Sequence, residues 1–336
     1  MDLKLPEANE YFRKKNYTKA LNMYRLVQKK YPIIAPSLNI ITDLCCKRLL
    51  NYREAIGNPE SGVDISLTTI SSRIHLTKDV IFSLLNQSLL PRKIFVYISK
   101  APYLLDEGIS EDHPIIKELI ELERVEIVWV DNTGPYRKIV PYLSNLMETS
   151  QNGSGLFITA DDDTLYPHNF IESLKAHYEE KRCIIAFRGR QIHANDESFD
   201  INPYAEWGLG VMSPSIANLP TGKDGVIYHR SFFTKEFLDI NTAQKYAPTA
   251  DDLWIKWHTA LNGIRSVILN PNSATSDFES FPVVDYSDEY RNISLYRAHN
   301  SQSSEGKNDK SVTMLEKHFK ELYGYNLKDL ILKEQM

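Results

Sequence analysis

Phe157-Ile158-Thr159-Ala160-Asp161-Asp162-Asp163-Thr164-Leu165-Tyr166-Pro167 is a short apolar run that leads into three consecutive carboxylates and stops at a proline. Its length and apolar character predict a strand, with the acids at its carboxyl end. Three adjacent acids repel one another, so a strand ending in them is short of a cation. Hard oxygen ligands suit Mg²⁺ or Mn²⁺, ions that complete their shells with substrate phosphates. The same residues also fit a solvated turn whose Asp caps the following helix, so the flanking sequence has to decide.

Upstream, Val125-Glu126-Ile127-Val128-Trp129-Val130-Asp131 is a second strand-like run that ends in an acid. Asn132-Thr133-Gly134-Pro135-Tyr136-Arg137-Lys138 follows it, and then a helix-like apolar segment through Leu146. Earlier still, Val63 to Ile70 reads as a strand that breaks into Ser71-Ser72-Arg73. A helical pattern from Thr77 to Gln87 then precedes the strand Lys93 to Ile98. Strands alternating with helices over such distances predict an α/β fold, a mostly parallel sheet with helices on both faces. Ligands of such sheets bind beyond the carboxyl ends of the strands, where Thr69 to Arg73, Asp131 and Asp161 to Asp163 fall.

The order strand, Ser-Ser-Arg, strand, Asp-x-x-Gly-Pro-x-x-Lys, then Thr-Ala-Asp-Asp-Asp-x-x-Tyr-Pro resembles the GT-A glycosyltransferases, whose metal motif is Asp-x-Asp. Pro248-Thr249-Ala250-Asp251-Asp252-Leu253-Trp254 is similar to the second acidic motif of bacterial members of that class. The nearest likeness is to capsule and lipooligosaccharide enzymes, including the N-acetylglucosaminyltransferases of heparosan-type capsules, and it covers roughly residues 60 to 310. The resemblance implies a Rossmann-like GT-A fold, Mn²⁺ or Mg²⁺, and a nucleotide-sugar donor, a UDP-hexose or UDP-N-acetylhexosamine. It further implies a glycan or glycolipid acceptor. Asp163 would ligate the ion that bridges the donor phosphates, and Asp161 would contact the ribose or the metal and its water. Asp162 would orient the loop. Lys138 adds a point charge near the phosphates, and Arg73 would hold the base or the diphosphate, with Thr69 and Asp131 on the same crevice. A solvated role suits Lys138 and Arg73 equally well.

Leu219 to Tyr228 begins as a glycine-bearing turn and ends as a strand, and Gly222 there permits close backbone approach to a sugar. A plain hairpin around Asp224-Gly225 is the competing reading, with Lys223 or Asp224 as further sugar contacts. Asp251 and Asp252 open a helix pattern, Leu253, Trp254, Trp257, Ala260 and Leu261, that ends at Asn262-Gly263. Acids there suit the helix dipole. If the enzyme inverts configuration, Asp252 is the general base, steadied by Asp251. If it retains, the same carboxylate orients the acceptor. Tyr204, Trp207, Trp254 and Trp257 suit sugar stacking or core packing. Among the 9 histidines, His299 is the best placed for the late metal ligand that the resemblance implies. Gly306 to Asp309 resembles an Asn-Asp element preceding a last helix at Val312 to Tyr323, and fits a lid or an idle loop.

The 336 residues, 42% hydrophobic, suffice for one catalytic domain and a small appendage. The division expected is a tetratricopeptide-like all-α segment over 1–58 and the GT-A domain over 59–336, parted at the turn-rich Ile56 to Gly62. Ala8, Tyr11, Tyr17, Ala20, Leu21 and Tyr24 carry the repeat pattern. A helix at Ala35 to Leu50 must pack beside them. That segment suits a docking module for a polysaccharide-assembly partner, or a cap on the catalytic domain. A net charge of −5 gives no reason to propose nucleic-acid binding. Cys45, Cys46 and Cys183 lack metal spacing and read as reduced thiols. With no leader-like start and no spanning apolar run, a cytoplasmic protein is expected, able to dock at the inner face of the cytoplasmic membrane. Two other classes remain. A sugar nucleotidyltransferase wants glycines where Thr69-Ile70-Ser71-Ser72-Arg73 stands, and a non-catalytic glycan-binding or scaffold protein needs neither acidic motif.

Overall fold

The apolar run before the three acids is a strand, Leu156–Ala160, buried along its whole length. The computed structural model describes residues 4–33, 57–149, 155–194, 200–270, 281–282 and 307–335, and positions 35, 38, 41, 42, 45 and 48. His299, Gly306, Cys46 and residues 296–305 lie outside the described residues.

Two amphipathic helices come first, α1 (Leu5–Arg13) and α2 (Tyr17–Lys30); the Asn16 side chain caps the second by accepting from the Lys19 amide at 3.1 Å. Ala8, Tyr17, Ala20, Leu21 and Tyr24 form their shared cluster, joined by Cys45, with Leu38 and Ile41 packed against it. The alternating part follows: β1 (Asp64–Thr68), α3 (Ile74–Leu85), β2 (Ile94–Ile98), α4 (Pro114–Leu119), β3 (Val125–Trp129), a 3₁₀ turn over Gly134–Lys138, α5 (Val140–Glu148) and β4 (Leu156–Ala160). After it come β5 (Thr164–Leu165), α6 (Phe170–Lys181), β6 (Ile184–Ala186), β7 (Gly189–Gln191), β8 (Gly208–Leu209), β9 (Asn218–Pro220) and β10 (Val226–His229). The last described elements are α7 (Ile240–Tyr246), α8 (Asp251–Leu261), β11 (Ser266–Ile268), β12 (Phe281–Pro282), α9 (Lys307–Tyr323) and α10 (Leu327–Gln335).

Seven strands make the central sheet, in the order β11-β6-β10-β4-β1-β2-β3. Every neighbouring pair is parallel except those of β10, which runs antiparallel to β4 and to β6. The α/β fold with a mostly parallel sheet is therefore as the sequence predicts, and the reversal at β10 is not. Between β6 and β10 the chain makes a small side sheet, β8-β7-β9, instead of a helical crossover. Without a crossover a strand cannot return parallel.

From β1 the chain steps outward to β2 and β3, then crosses back to place β4 on the other side of β1. Right-handed crossovers put α3 and α4 on one face and α5 on the other. At the reversal the connections leaving β1 and β4 part, and their carboxyl ends are the place where sheets of this kind bind ligands. The opposite end of the sheet is locked by a buried carboxylate: Asp64 accepts from Arg92 Nε at 2.9 Å and from the Tyr142 hydroxyl at 2.7 Å.

Trp207, Trp254 and Trp257 are buried in the core rather than offered to a ligand. Each indole N–H is satisfied internally, by the carbonyls of Asn202 (2.7 Å) and Phe237 (3.0 Å) and by Glu316 (2.8 Å). Tyr204 lies under the Arg190 guanidinium, 4.8 Å from its ring centre. Sugar stacking by the three tryptophans is excluded by this packing. The helix expected from Val312 begins earlier, at Lys307, so Lys307 to Asp309 are its first turn and no part of a loop; Asp309 accepts from the Tyr204 amide at 2.6 Å.

Candidate active site at the carboxyl edge of the sheet

Asp161 to Asp163 turn out of β4 directly beside the end of β1, the place where the strand order reverses. The three carboxylates fan apart. Asp162 is buried and meets Arg73 at 3.0 Å, while the half-exposed Asp163 meets the other nitrogen of the same guanidinium at 3.2 Å. Arg73, expected against the donor, thus spans two motif acids. Asp161 points the other way, to Lys138 at 3.4 Å.

Lys138 reaches Asp251 on its far side at 3.5 Å. One ammonium therefore joins the acids after β4 to the acids that open α8. Its position follows from local structure. The 3₁₀ turn after β3 starts at Gly134, whose φ of +64 disfavours a side chain, and the Asn132 side chain holds that turn by accepting from the Gly134 amide at 3.2 Å. The turn's end is fixed where the Ser66 hydroxyl donates to the Lys138 carbonyl at 2.5 Å. Gly222 backs the ammonium so closely that a Cβ there would stand 2.7 Å from Nζ. Gly222 makes room for Lys138, a need that a glycine count in the sequence does not reveal.

Burial opposes the charge on Lys138, yet the carboxylates of Asp251, Asp161 and Asp252 outweigh it and hold the ammonium above its ordinary range. Asp161 does not gain in proportion. Burial raises it to about 6, and Asp163, Asp162 and Asp251 add to that rise against the pull of Lys138. Burial, with Asp251 beside it, pushes Asp252 up to about 7. Asp162 is raised by burial, against Arg73. Shifts of this size and mixed cause gather at sites built for proton transfer or ion binding.

Asp106 is a residue that sequence reasoning misses. Its buried carboxylate accepts from the Ser71 amide (2.9 Å), the Gly108 amide (3.1 Å), Asn132 Nδ2 (3.1 Å) and Arg137 Nη1 (2.8 Å). Arg137 in turn donates to the Thr69 carbonyl at 3.2 Å. The loops after β1, β2 and β3 are thereby tied to one carboxylate. The only local signal is the Asp-x-Gly turn at Asp106 to Gly108. Thr69 is fully buried, its hydroxyl accepting from Thr77 at 2.8 Å. Asp131 is exposed at the end of the edge strand, lining an open cavity of about 590 Å³ with Ser99, Lys100 and Trp129. Asp224 has a φ of +71 and is buried against Arg188, so it shapes the turn after β9 rather than facing a sugar.

Among the described residues, no three His, Cys, Asp or Glu side chains converge as a ready-made metal site. The donor set still fits a hard cation that takes few protein ligands. Asp162 Oδ2 is buried with no hydrogen-bond partner among the described residues. Six carboxylates, Asp106, Asp161 to Asp163, Asp251 and Asp252, face three cations, Arg73, Arg137 and Lys138. Asp161 and Asp163 keep the exposure needed to share an ion with a diphosphate.

No protein-family model matches the chain, and no curated protein does. Among solved structures it is similar to S. aureus TarS 1-349, at 14% identity and a TM-score of 0.41 over 76% of this chain and 71% of that one. The same protein in complex with UDP-GlcNAc gives 13% identity and 0.41 over 76% and 72%. A 4-diphosphocytidyl-2C-methyl-D-erythritol synthase from Anaerococcus prevotii gives 9% identity and 0.40 over 70% and 96%. Likenesses this distant carry nothing about chemistry or substrate.

Proposed function

We propose that the chain is a metal-dependent glycosyltransferase that moves a sugar from a nucleotide-sugar donor, a UDP-hexose or UDP-N-acetylhexosamine, onto a bacterial surface glycan of capsule or lipooligosaccharide type. The observation that carries this reading is Lys138, held between Asp161 and Asp251. It brings two acidic motifs about ninety residues apart into one crevice, at the end of the sheet where ligands bind.

On this reading Asp161 and Asp163 hold Mn²⁺ or Mg²⁺, with His299 as the further ligand. The ion supplies offsetting charge for the departing nucleotide diphosphate, an effect of several kcal/mol. Lys138 adds to it as a fixed positive charge. Arg73 and Asp131 border the nucleotide, the buried Thr69 sets the end of β1 behind them, and Gly222 keeps the wall behind Lys138 thin. Asp252 takes the proton of the acceptor hydroxyl if configuration inverts; its raised pKa of about 7 suits a base at neutral pH. Asp251 fixes Lys138 against it. No described helix is long and apolar enough to cross a membrane. Lipid-linked acceptors would be met at the inner face of the cytoplasmic membrane.

The test is nucleotide release from purified protein given UDP-, GDP-, CMP- and dTDP-sugars, with Mn²⁺ and with EDTA. Metal-dependent release from one donor is expected. No release from any donor, together with no thermal shift from UDP plus Mn²⁺, would sink the reading.

A further inference from the structure

The acidic turn is held on one side by β4, five residues long, and on the other by β5, which has two. A two-residue strand paired with another of equal length cannot hold its register through backbone bonds alone. Side chains fix β5 instead. The Thr164 hydroxyl donates to Asp163 at 3.3 Å, and Leu165 is fully buried. Leu165 does not belong to the main core. It sits in the second apolar cluster, with Ala8, Tyr17, Leu21 and Tyr24 of the N-terminal helices. β12, the partner of β5, lies against α2 as well.

A second set of contacts closes the arrangement. Arg25 of α2 stands 3.8 Å from Asp79 of α3. The same α3 provides Ser83, whose oxygen accepts from the Tyr166 amide at 3.0 Å. The Tyr166 hydroxyl then accepts from the Asp161 amide at 2.8 Å. Both ends of the turn are thus referred to a framework that the N-terminal helices complete.

We infer that the N-terminal helical pair is a positioning element for the acidic turn: its apolar face is the socket of Leu165, and through Leu165 it sets where Asp161 and Asp163 stand. What the turn does rests on the glycosyltransferase reading; the mechanical coupling does not. A repeat-like helix pair suggests a module for docking partners, but here its apolar face is occupied from within the chain. Leu165 and Leu21 act through the turn and touch no substrate.

Hydrogen exchange of the full chain, resolved to peptides, tests this in Leu165→Ala and Leu21→Ala. Amides of residues 161–166 should exchange at least about tenfold faster in both variants while β1 and β2 keep their protection. Donor kcat/KM should fall by about tenfold or more, since small displacements of a positioned group are costly, and Leu165→Met should restore both readouts. Should Leu21→Ala unfold the sheet, the milder Leu21→Val takes its place. Unchanged exchange at 161–166 in the Leu21 variant, or equal loosening of β1 and β2, would overturn the inference. Wild-type protein silent toward every donor would instead overturn the glycosyltransferase reading, and exchange would still decide the coupling.

Discussion

Lys138 is the residue on which the two acidic motifs depend. Replacing it with Met leaves Asp161 and Asp251 facing each other without their shared cation. Donor turnover should then fall by about 10²–10³-fold, the range for losing one preorganised charge partner. Gly222→Ala is the subtler probe, because its Cβ would stand 2.7 Å from Nζ and displace the ammonium. A loss of roughly tenfold in kcat/KM with little change in melting temperature is expected for it. Steady-state kinetics and thermal melts on both variants check the pair. Asp252 makes a pH prediction. Burial and Asp251 raise it to about 7; if it is the base of an inverting transfer, as proposed, it works only when deprotonated, so kcat/KM should climb as pH rises through about 7. Asp252→Asn should lose that limb of the profile along with most activity; an unaltered limb would assign it to another group.

At the scale of elements, α8 carries an acid pair at its start and a buried cation within. Lys256 is 1% exposed and its Nζ has no hydrogen-bond partner among the described residues. Burial lowers its pKa to about 7, against the attraction of Glu334. The unfolded chain holds that proton up to its ordinary value of 10.5, so between pH 7 and 10.5 the unfolded state binds more protons. Stability therefore rises with pH across that window, and the cost is fully present below it. Lys256→Met should raise stability at pH 7 by roughly 1–4 kcal/mol and flatten the slope above pH 7, in urea unfolding followed from pH 6 to 10. Elsewhere the elements that frame the crevice are short. The loops after β1, β2 and β3 keep their shape through Asp106, a contact set that no propensity rule contains.

At the scale of the molecule, one continuous core runs from Val63 to Ile331 and takes in α9 and α10. Glu316 of α9 accepts from the Trp257 indole at 2.8 Å and from the Leu327 amide at 3.1 Å. Glu334 of α10 accepts from the Ser215 hydroxyl and the Ile216 amide, each at 2.7 Å. The end of the chain thus clamps the sheet beside β11. Removing residues 325–336 takes Leu327 and Ile331 out of the core and leaves the Ser215 hydroxyl and the Ile216 amide without their acceptor Glu334, a loss of at least about 4 kcal/mol. That should lower the melting temperature by about 10 °C or more. An unchanged melt would show that the clamp adds nothing.

Periodicity showed the strands β1 to β4 and the helices α3 and α5, because those strands alternate or run apolar over a short length and those helices keep their own period, while α4, six residues long, is too short to show one. It also put the acids at strand ends, since Pro167 and the turn residues leave them no other place. The sequence could not show β10 running against its neighbours, because direction depends on a connection and not on composition. Nor could it show that Gly222 exists for Lys138, that Asp106 gathers three loops, or that Leu165 is socketed by helices some 140 residues away. Those are contacts between distant segments. A residue's partners across such distances are chosen by packing and charge balance in the folded chain, which no local pattern encodes.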